Sequence, residues 1–171
     1  ADEKTFGDTE VFFSIATSET KVFKDLPVGV YTVTENKNAV NVDGYTFVDS
    51  SQTSDDAMIY KDQTATAGLN NRYTKDLGSL TVEKSAIDNY NNTVSGSFKF
   101  SVKNSDGQYL QADEKTFEDE AYFFTVAAGS SKTFEKLPVG TYTVEEDTDS
   151  VSVDGYTFNK NDSKTSDSAD V

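Results

Sequence analysis

Three polar residue types stand where short alternating runs turn their side chains inward, and together they form a reactive set. In Leu80-Thr-Val-Glu-Lys84, the residues Leu80, Val82 and Lys84 share a face, because alternate side chains of a strand point the same way. The same parity groups Tyr142, Val144 and Glu146 in Thr141–Glu146, and Tyr31, Val33 and Glu35 in Val30–Glu35. In Ala67-Gly-Leu-Asn-Asn-Arg-Tyr73 it groups Ala67, Leu69, Asn71 and Tyr73, leaving Asn70 and Arg72 outside. Two adjacent asparagines leave the reactive one open by a single position, and parity favours Asn71. A desolvated lysine loses its proton more readily and exposes a nucleophilic amine. A desolvated glutamic acid keeps its proton and can hydrogen-bond a carboxamide, making the carboxamide carbon more electrophilic. Attack of the lysine amine on that carbon, with glutamate moving protons, expels ammonia and leaves an isopeptide bond. Holding such groups aligned gives effective molarities of about 10⁵–10⁸ M, so proximity in a dry site supplies much of the acceleration. On this reading Glu35 and Glu146 are catalytic proton shuttles, and Lys84 and Asn71 are cross-link residues. A buried Lys–Glu ion pair capped by Asn is the plainer arrangement, and such a pair is a poor stabiliser on its own. For any one glutamate, emergence into solvent at a strand end is plainer still.

Composition narrows the alternatives. The 171 residues carry a formal net charge of −15 and contain neither Cys nor His. An acidic surface argues against a nucleic-acid partner, which requires clustered Lys and Arg. Without Cys there are no disulfides or thiol nucleophiles, and without His the commonest general base and metal ligand is missing. No metal or cofactor is expected. The one plausible reaction consumes its own residues once, so the chain is not a turnover enzyme. Apolar runs are only a few residues long, too short for membrane insertion as a helix. Asp55-Asp56 and Asp162–Asp170 lack an Asp-x-Asp-x-Asp-Gly pattern and read as solvated loops rather than Ca²⁺ sites. Asn91-Asn-Thr93 and Asn161-Asp-Ser163 are glycosylation sequons by pattern only.

The elements that must position the reactive set come from an internal repeat. Residues 1–47 align without a gap onto 112–158, with 27 of 47 positions identical. After one inserted residue, Thr53–Ala57 matches Thr165–Ala169. Residues 60–76 have no second copy and residues 77–111 no first copy. Leu26-Pro-Val-Gly29 and Leu137-Pro-Val-Gly140 are turn signals, each followed by a β-rich run. Further β runs are expected at Leu80–Lys84, Ser97–Val102, Tyr122–Val126, Thr133–Phe134 and Tyr156–Phe158, echoed at Val11–Ile15, Val22–Phe23 and Tyr45–Phe47. Asp49–Asp56 and Asn159–Asp170 are expected as polar loops, and Asp113–Glu120 as at most a helical turn. No window sustains helical periodicity over three turns. Short, evenly spaced strands predict an all-β chain of tandem antiparallel β-sandwiches. The expected units are 1–76, lacking its N-terminal strands, and 77–171, lacking its C-terminal strand, so both are incomplete. The surplus of central strands predicts a window on a longer array of such repeats.

Leu-Thr-Val-Glu-Lys84, Leu137-Pro-Val-Gly-Thr-Tyr-Thr-Val-Glu-Glu146 and Leu69-Asn-Asn-Arg-Tyr73, taken together, resemble the Cna B-type domains of Gram-positive surface proteins, found in collagen-adhesin stalks and pilins. The resemblance implies a transthyretin-like or reversed-immunoglobulin sandwich with an intramolecular Lys–Asn bond. By motif position, Lys84 matches the family's lysine, Glu35 and Glu146 its glutamate, and Asn71 its asparagine. It also implies an extracellular stalk or fibre repeat at the cell surface or wall, whose partners are neighbouring repeats of the same chain or fibre. A pilus shaft subunit is an alternative, as is a binding module for a host surface protein or glycan, reached here or through another domain.

Overall fold

A computed structural model of the chain describes Gly7 and residues 10–171. These residues form antiparallel β-structure with almost no helix, only two single 3-10 turns at Lys37–Ala39 and Lys160–Asp162. No helix among them is long and apolar enough to cross a membrane. The chain divides into two compact units, Ala1–Thr74 and Lys75–Val171.

The first unit contains β1 (Gly29–Thr34), β2 (Tyr45–Phe47), β3 (Ser54–Ile59) and β4 (Tyr73–Lys75), paired as β1 with β3 and β2 with β4. Along β1, Tyr31 opposes Ala57 and Thr34 opposes Ser54. Tyr31 donates its hydroxyl hydrogen to Pro27 O at 2.9 Å, fastening the Pro-Val-Gly turn to the strand it starts.

The second unit contains β5 (Leu77–Lys84), β6 (Ser97–Lys103), β7 (Tyr109–Leu110), β8 (Phe117–Glu118), β9 (Phe124–Ala127), β10 (Ser130–Pro138), β11 (Thr141–Glu146) and β12 (Ser166–Asp170). One sheet is β5–β10; the other runs β12-β11-β6-β7-β8, with β9 also paired to β6. Leu80 from β5 and Phe134 and Leu137 from β10 pack against Phe100, Val102, Leu110, Phe124, Val126 and Tyr142 from the second sheet. Two facing sheets with a shared apolar interior make a β-sandwich. Ser97–Lys103 shows the alternation plainly, since Phe98, Phe100 and Val102 are all buried. Where β10 shifts register between Glu135 and Leu137, the intervening Lys136 takes a φ of 59°, the mark of a bulge.

Repeat equivalence extends to register. Tyr142 opposes Ala169 and Glu145 opposes Ser166 on β11–β12, the counterparts of the two β1–β3 pairs above. Tyr142 likewise donates to Pro138 O, at 2.7 Å.

Several expected elements differ. Ser166–Asp170 and Ser54–Ile59 are strands, although Ser and Asp dominate the first and make up the first half of the second. Their backbones pair along a complete neighbouring strand, and that ladder outweighs the low β propensity of the side chains. Val11–Ile15 and Val22–Phe23 form no strand. Their counterparts pair with β6 and β5, and nothing in residues 1–74 repeats β5 or β6. Tyr156–Phe158 is not a strand either, whereas its counterpart β2 is. The reason is parallel: β2 pairs with β4, whose sequence has no second copy. Of the expected strand through Ala67–Tyr73, only Tyr73 lies in a strand, and Asn70 makes an isolated bridge with Gln52.

Asp113–Glu120 forms a turn and then β8 rather than helix. Asp113 Oδ1 accepts from the backbone N–H of Lys115 and Thr116, both at 2.9 Å, and from the Thr116 hydroxyl at 3.0 Å. Those donors hold its carboxyl below the usual carboxylate range, the Thr116 amide contributing most. A depressed folded-state pKa stabilises the turn fully above the unfolded value and is lost as pH falls through the folded one. Protection of the Lys115 and Thr116 amides, measured relative to their intrinsic exchange rates, is therefore expected to persist from neutral pH through the ordinary carboxylate range and to fall only in strong acid. Loss of protection already on the neutral side of that range would contradict this.

Candidate functional site

Each unit assembles part of the reactive set around the same glutamate position. In the second unit, Lys84 ends β5 and Glu146 ends β11, placing them at the same end of the two sheets. Lys84 Nζ lies 2.7 Å from Glu146 Oε1, with the side chains 19% and 8% exposed. Distance makes this an ion pair, but the approach is not directed as a hydrogen bond. Both carboxyl oxygens of Glu146 are buried without a hydrogen-bond donor. The ammonium also lies 4.4 Å from the centre of the Phe98 ring, a cation–π contact from β6. Glu146 is fixed on both sides of its backbone: it opposes Phe100 on β6, and its N–H donates to Thr165 O at 2.8 Å. Its neighbour Glu145 faces outward and lies 3.8 Å from Lys103 Nζ.

In the first unit Glu35 follows β1, and its N–H donates to Thr53 O at 2.8 Å, the counterpart of the Glu146 anchor. Its partner is Asn71, whose Nδ2 donates to Glu35 Oε1 at 2.7 Å. Glu35 Oε2 and Asn71 Oδ1 are buried without a partner. Asn71 is held between two backbone ties, the Gln52–Asn70 bridge and the Val48 N–H to Arg72 O bond at 2.9 Å. Tyr73 completes the support, donating its hydroxyl hydrogen to Val40 O at 2.8 Å and packing edge-on against Phe47. Asn70 and Arg72 are exposed, and Asn71 is the inward member of the three.

The structure thus brings Lys84 to Glu146 in one unit and Asn71 to Glu35 in the other. Among the described residues, neither unit by itself brings a lysine, a glutamate and an asparagine into contact at this position. Glu35 Oε2, Asn71 Oδ1 and Glu146 Oε2 are buried with neither a hydrogen-bond donor nor an ion-pair partner, a cost of about 1–3 kcal/mol each in typical cases. Alternation assigns Phe98 to the core and gives no sign of its contact with Lys84. The polar loops that follow each glutamate give no sign that Thr53 and Thr165 anchor it.

A second inward lysine belongs to a different arrangement. Lys132 on β10 pairs with Glu114 at 2.7 Å and lies 5.0 Å from the Phe134 ring and 5.5 Å from the Phe124 ring. Its counterpart Lys21 lies over Phe13 and Phe23 in the same way. Lys132 and its carboxylate are both half-exposed, so this pair ties the Asp113 turn to β10. Lys132→Met is expected to leave the Lys84–Glu146 contact intact and cost no more than about 1 kcal/mol, as a half-exposed ion pair should. Urea unfolding measures the cost, and a loss several-fold larger would mean that the pair is part of the core. Among the described residues, no group of three or more His, Cys, Asp or Glu could hold a metal ion.

No curated protein and no solved structure matches the chain. A family model does match, over residues 1–74 and again over 80–171, which takes in both Glu35 and Glu146. The chain therefore belongs to the family described as Domain of unknown function (DUF5979).

Proposed function

We propose that a complete repeat of this kind is a Cna B-like β-sandwich, transthyretin-like or reversed-immunoglobulin in topology, that locks itself with a Lys–Asn isopeptide bond. One observation carries the reading: the same glutamate position meets the amine in one repeat and the carboxamide in the other, each at 2.7 Å. A complete repeat then places glutamate between nucleophile and electrophile. The amine Nζ bonds to the asparagine Cγ, the Cγ–Nδ2 bond breaks, and the proton lost by the amine reaches Nδ2 through the glutamate. Ammonia leaves and the glutamate ends as it began. Phe98 and the sandwich interior exclude water, which protects the tetrahedral intermediate.

The cellular role follows from the chemistry and the repeat. A covalently locked sandwich repeated along a chain suits an extracellular stalk or fibre of a Gram-positive surface adhesin, projecting a binding tip through neighbouring repeats. A pilus shaft subunit and a ligand-binding module are the competing roles. Covalent links between chains would favour the first, and direct binding of a host protein or glycan by complete repeats the second.

A complete repeat can be written from this sequence by joining residues 77–171 to 60–76, since Val171 occupies the position of Ile59. Its mass is expected to fall short of the calculated value by one ammonia. A mass equal to the calculated one would leave only a buried ion pair capped by asparagine.

A further inference from the structure

The second unit carries a shallow depression on its surface, about 560 Å³ in volume. Thr93, Ser95 and Gly96, on the approach to β6, form one wall. Ser152, Val153, Asp154 and Tyr156, in the loop after β11, form the other. The walls close together at Gly96, where a Cβ would lie 3.1 Å from Val153 Cγ2 and 3.4 Å from the Phe98 ring. Among the described residues, the side chains of Thr93, Ser95, Ser152, Asp154 and Tyr156 have no hydrogen-bond or ion-pair partner. Four hydroxyls and one carboxylate therefore converge on one space with their bonding capacity intact. Tyr156 is 52% exposed. Its place is set by a turn, with its N–H donating to Val153 O at 3.1 Å and Gly155 at a φ of 81°. The Val42–Tyr45 turn has the same 3.1 Å bond and a Gly44 φ of 75°, and there Tyr45 stays 39% exposed although its strand pairs with β4. The turn, and not an unpaired edge, keeps this tyrosine in the open.

We propose that this depression binds a neutral hexopyranose unit. A pyranose presents a C–H face that packs on an aromatic ring and a rim of hydroxyls, each both donor and acceptor. Tyr156 supplies the ring. Thr93, Ser95 and Ser152 exchange hydrogen bonds with the sugar hydroxyls, and Asp154 accepts from two of them. The lining argues against other ligands. Its one charged group is Asp154, on a chain of net charge −15, so an anionic sugar or a phosphate is repelled. Val153 is the one aliphatic side chain in the lining, too little to hold a lipid. An added peptide strand needs free backbone groups, and the carbonyls of Gly96 and Val153 already accept from the Ala128 and Tyr156 N–H groups. The depression shares no residue with Lys84 and Glu146, so the sugar site does not rest on the proposed cross-link.

The test titrates the 171-residue chain with the methyl pyranosides of glucose, galactose and mannose, and with methyl glucuronide, following backbone amides by NMR. Expected is saturable movement of the Thr93–Gly96 and Ser152–Tyr156 amides with at least one neutral sugar. For so small a ligand the Kd should be on the order of 1 mM. The glucuronide should bind more weakly than that sugar. Tyr156→Ala should weaken binding about tenfold, while Tyr156→Phe keeps the ring and most of the affinity. Amides of β5 and β10 report whether either variant disturbs the sandwich. The proposal is overturned by the absence of saturable shifts with all three neutral sugars, or by shifts confined to other residues. Equal binding by the glucuronide, or by a folded Tyr156→Ala chain, overturns it as well.

Discussion

Phe134→Ala is expected to destabilise the second unit by about 3–5 kcal/mol, while Phe23→Ala at the equivalent position costs the first unit a small fraction of that. The residues are the same and their sequence neighbourhoods are alike, yet Phe134 is 0% exposed and Phe23 is only half-buried. Phe134 meets Phe124 edge-on with centroids 4.7 Å apart and Phe100 at 6.2 Å, in addition to Leu80 across the ladder. Removing its ring leaves a cavity that two sheets cannot close without breaking their ladders. Among the described residues, Phe23 meets the Phe13 ring at 5.0 Å and the Lys21 ammonium at 5.3 Å, on a face that water already reaches. Native-state hydrogen exchange read separately for amides of each unit measures both costs. Equal losses would mean that the first unit possesses an interior the structure does not give it.

Glu146→Gln, in the complete repeat made by joining 77–171 to 60–76, is expected to slow cross-linking by about 10²–10⁴-fold, the usual worth of a positioned proton-transfer group. Glutamine fits the same space and still hydrogen-bonds, but it cannot carry a proton between amine and leaving group. Glu145→Gln should link at the parent rate, because Glu145 is outward beside Lys103. Time courses of ammonia loss by intact mass compare the two. Loss of linkage in Glu145→Gln alone would put the strand register out by one and reverse the inward and outward sets.

Period-two alternation made much of the second unit legible. Leu80-x-Val82-x-Lys84, Phe98-x-Phe100-x-Val102 and Tyr142-x-Val144-x-Glu146 face inward as their spacing implies. The repeat also made legible that Glu35 and Glu146 are equivalent, and the two backbone anchors at 2.8 Å are the physical form of that equivalence. Strands whose existence depends on a partner were not legible. Val11–Ile15 has β-forming residues and no ladder, whereas Ser166–Asp170 has poor β formers and a full one with β11. A strand is a property of a pair, and a single run of sequence describes only one member. The contact between Asn71 and Glu35 was out of reach of local pattern for the same reason, since it joins positions 36 residues apart.

β12 ends its sheet, and among the described residues no strand pairs with its outer edge along Ser-Asp-Ser-Ala-Asp. An edge of that kind is a template on which another molecule can add a strand, the usual first step toward aggregation. Here the template carries Asp167 and Asp170 on a chain of net charge −15. Lys164, 2.6 Å from Asp167, holds that carboxyl below its ordinary range, so it keeps its charge further into acid. Two such edges repel one another over roughly the 8 Å screening distance of physiological salt, which exceeds the spacing of paired strands. The composition that disguises β12 as a loop thus keeps two copies of this edge from pairing side by side, a protection that concentrated salt or strong acid should remove.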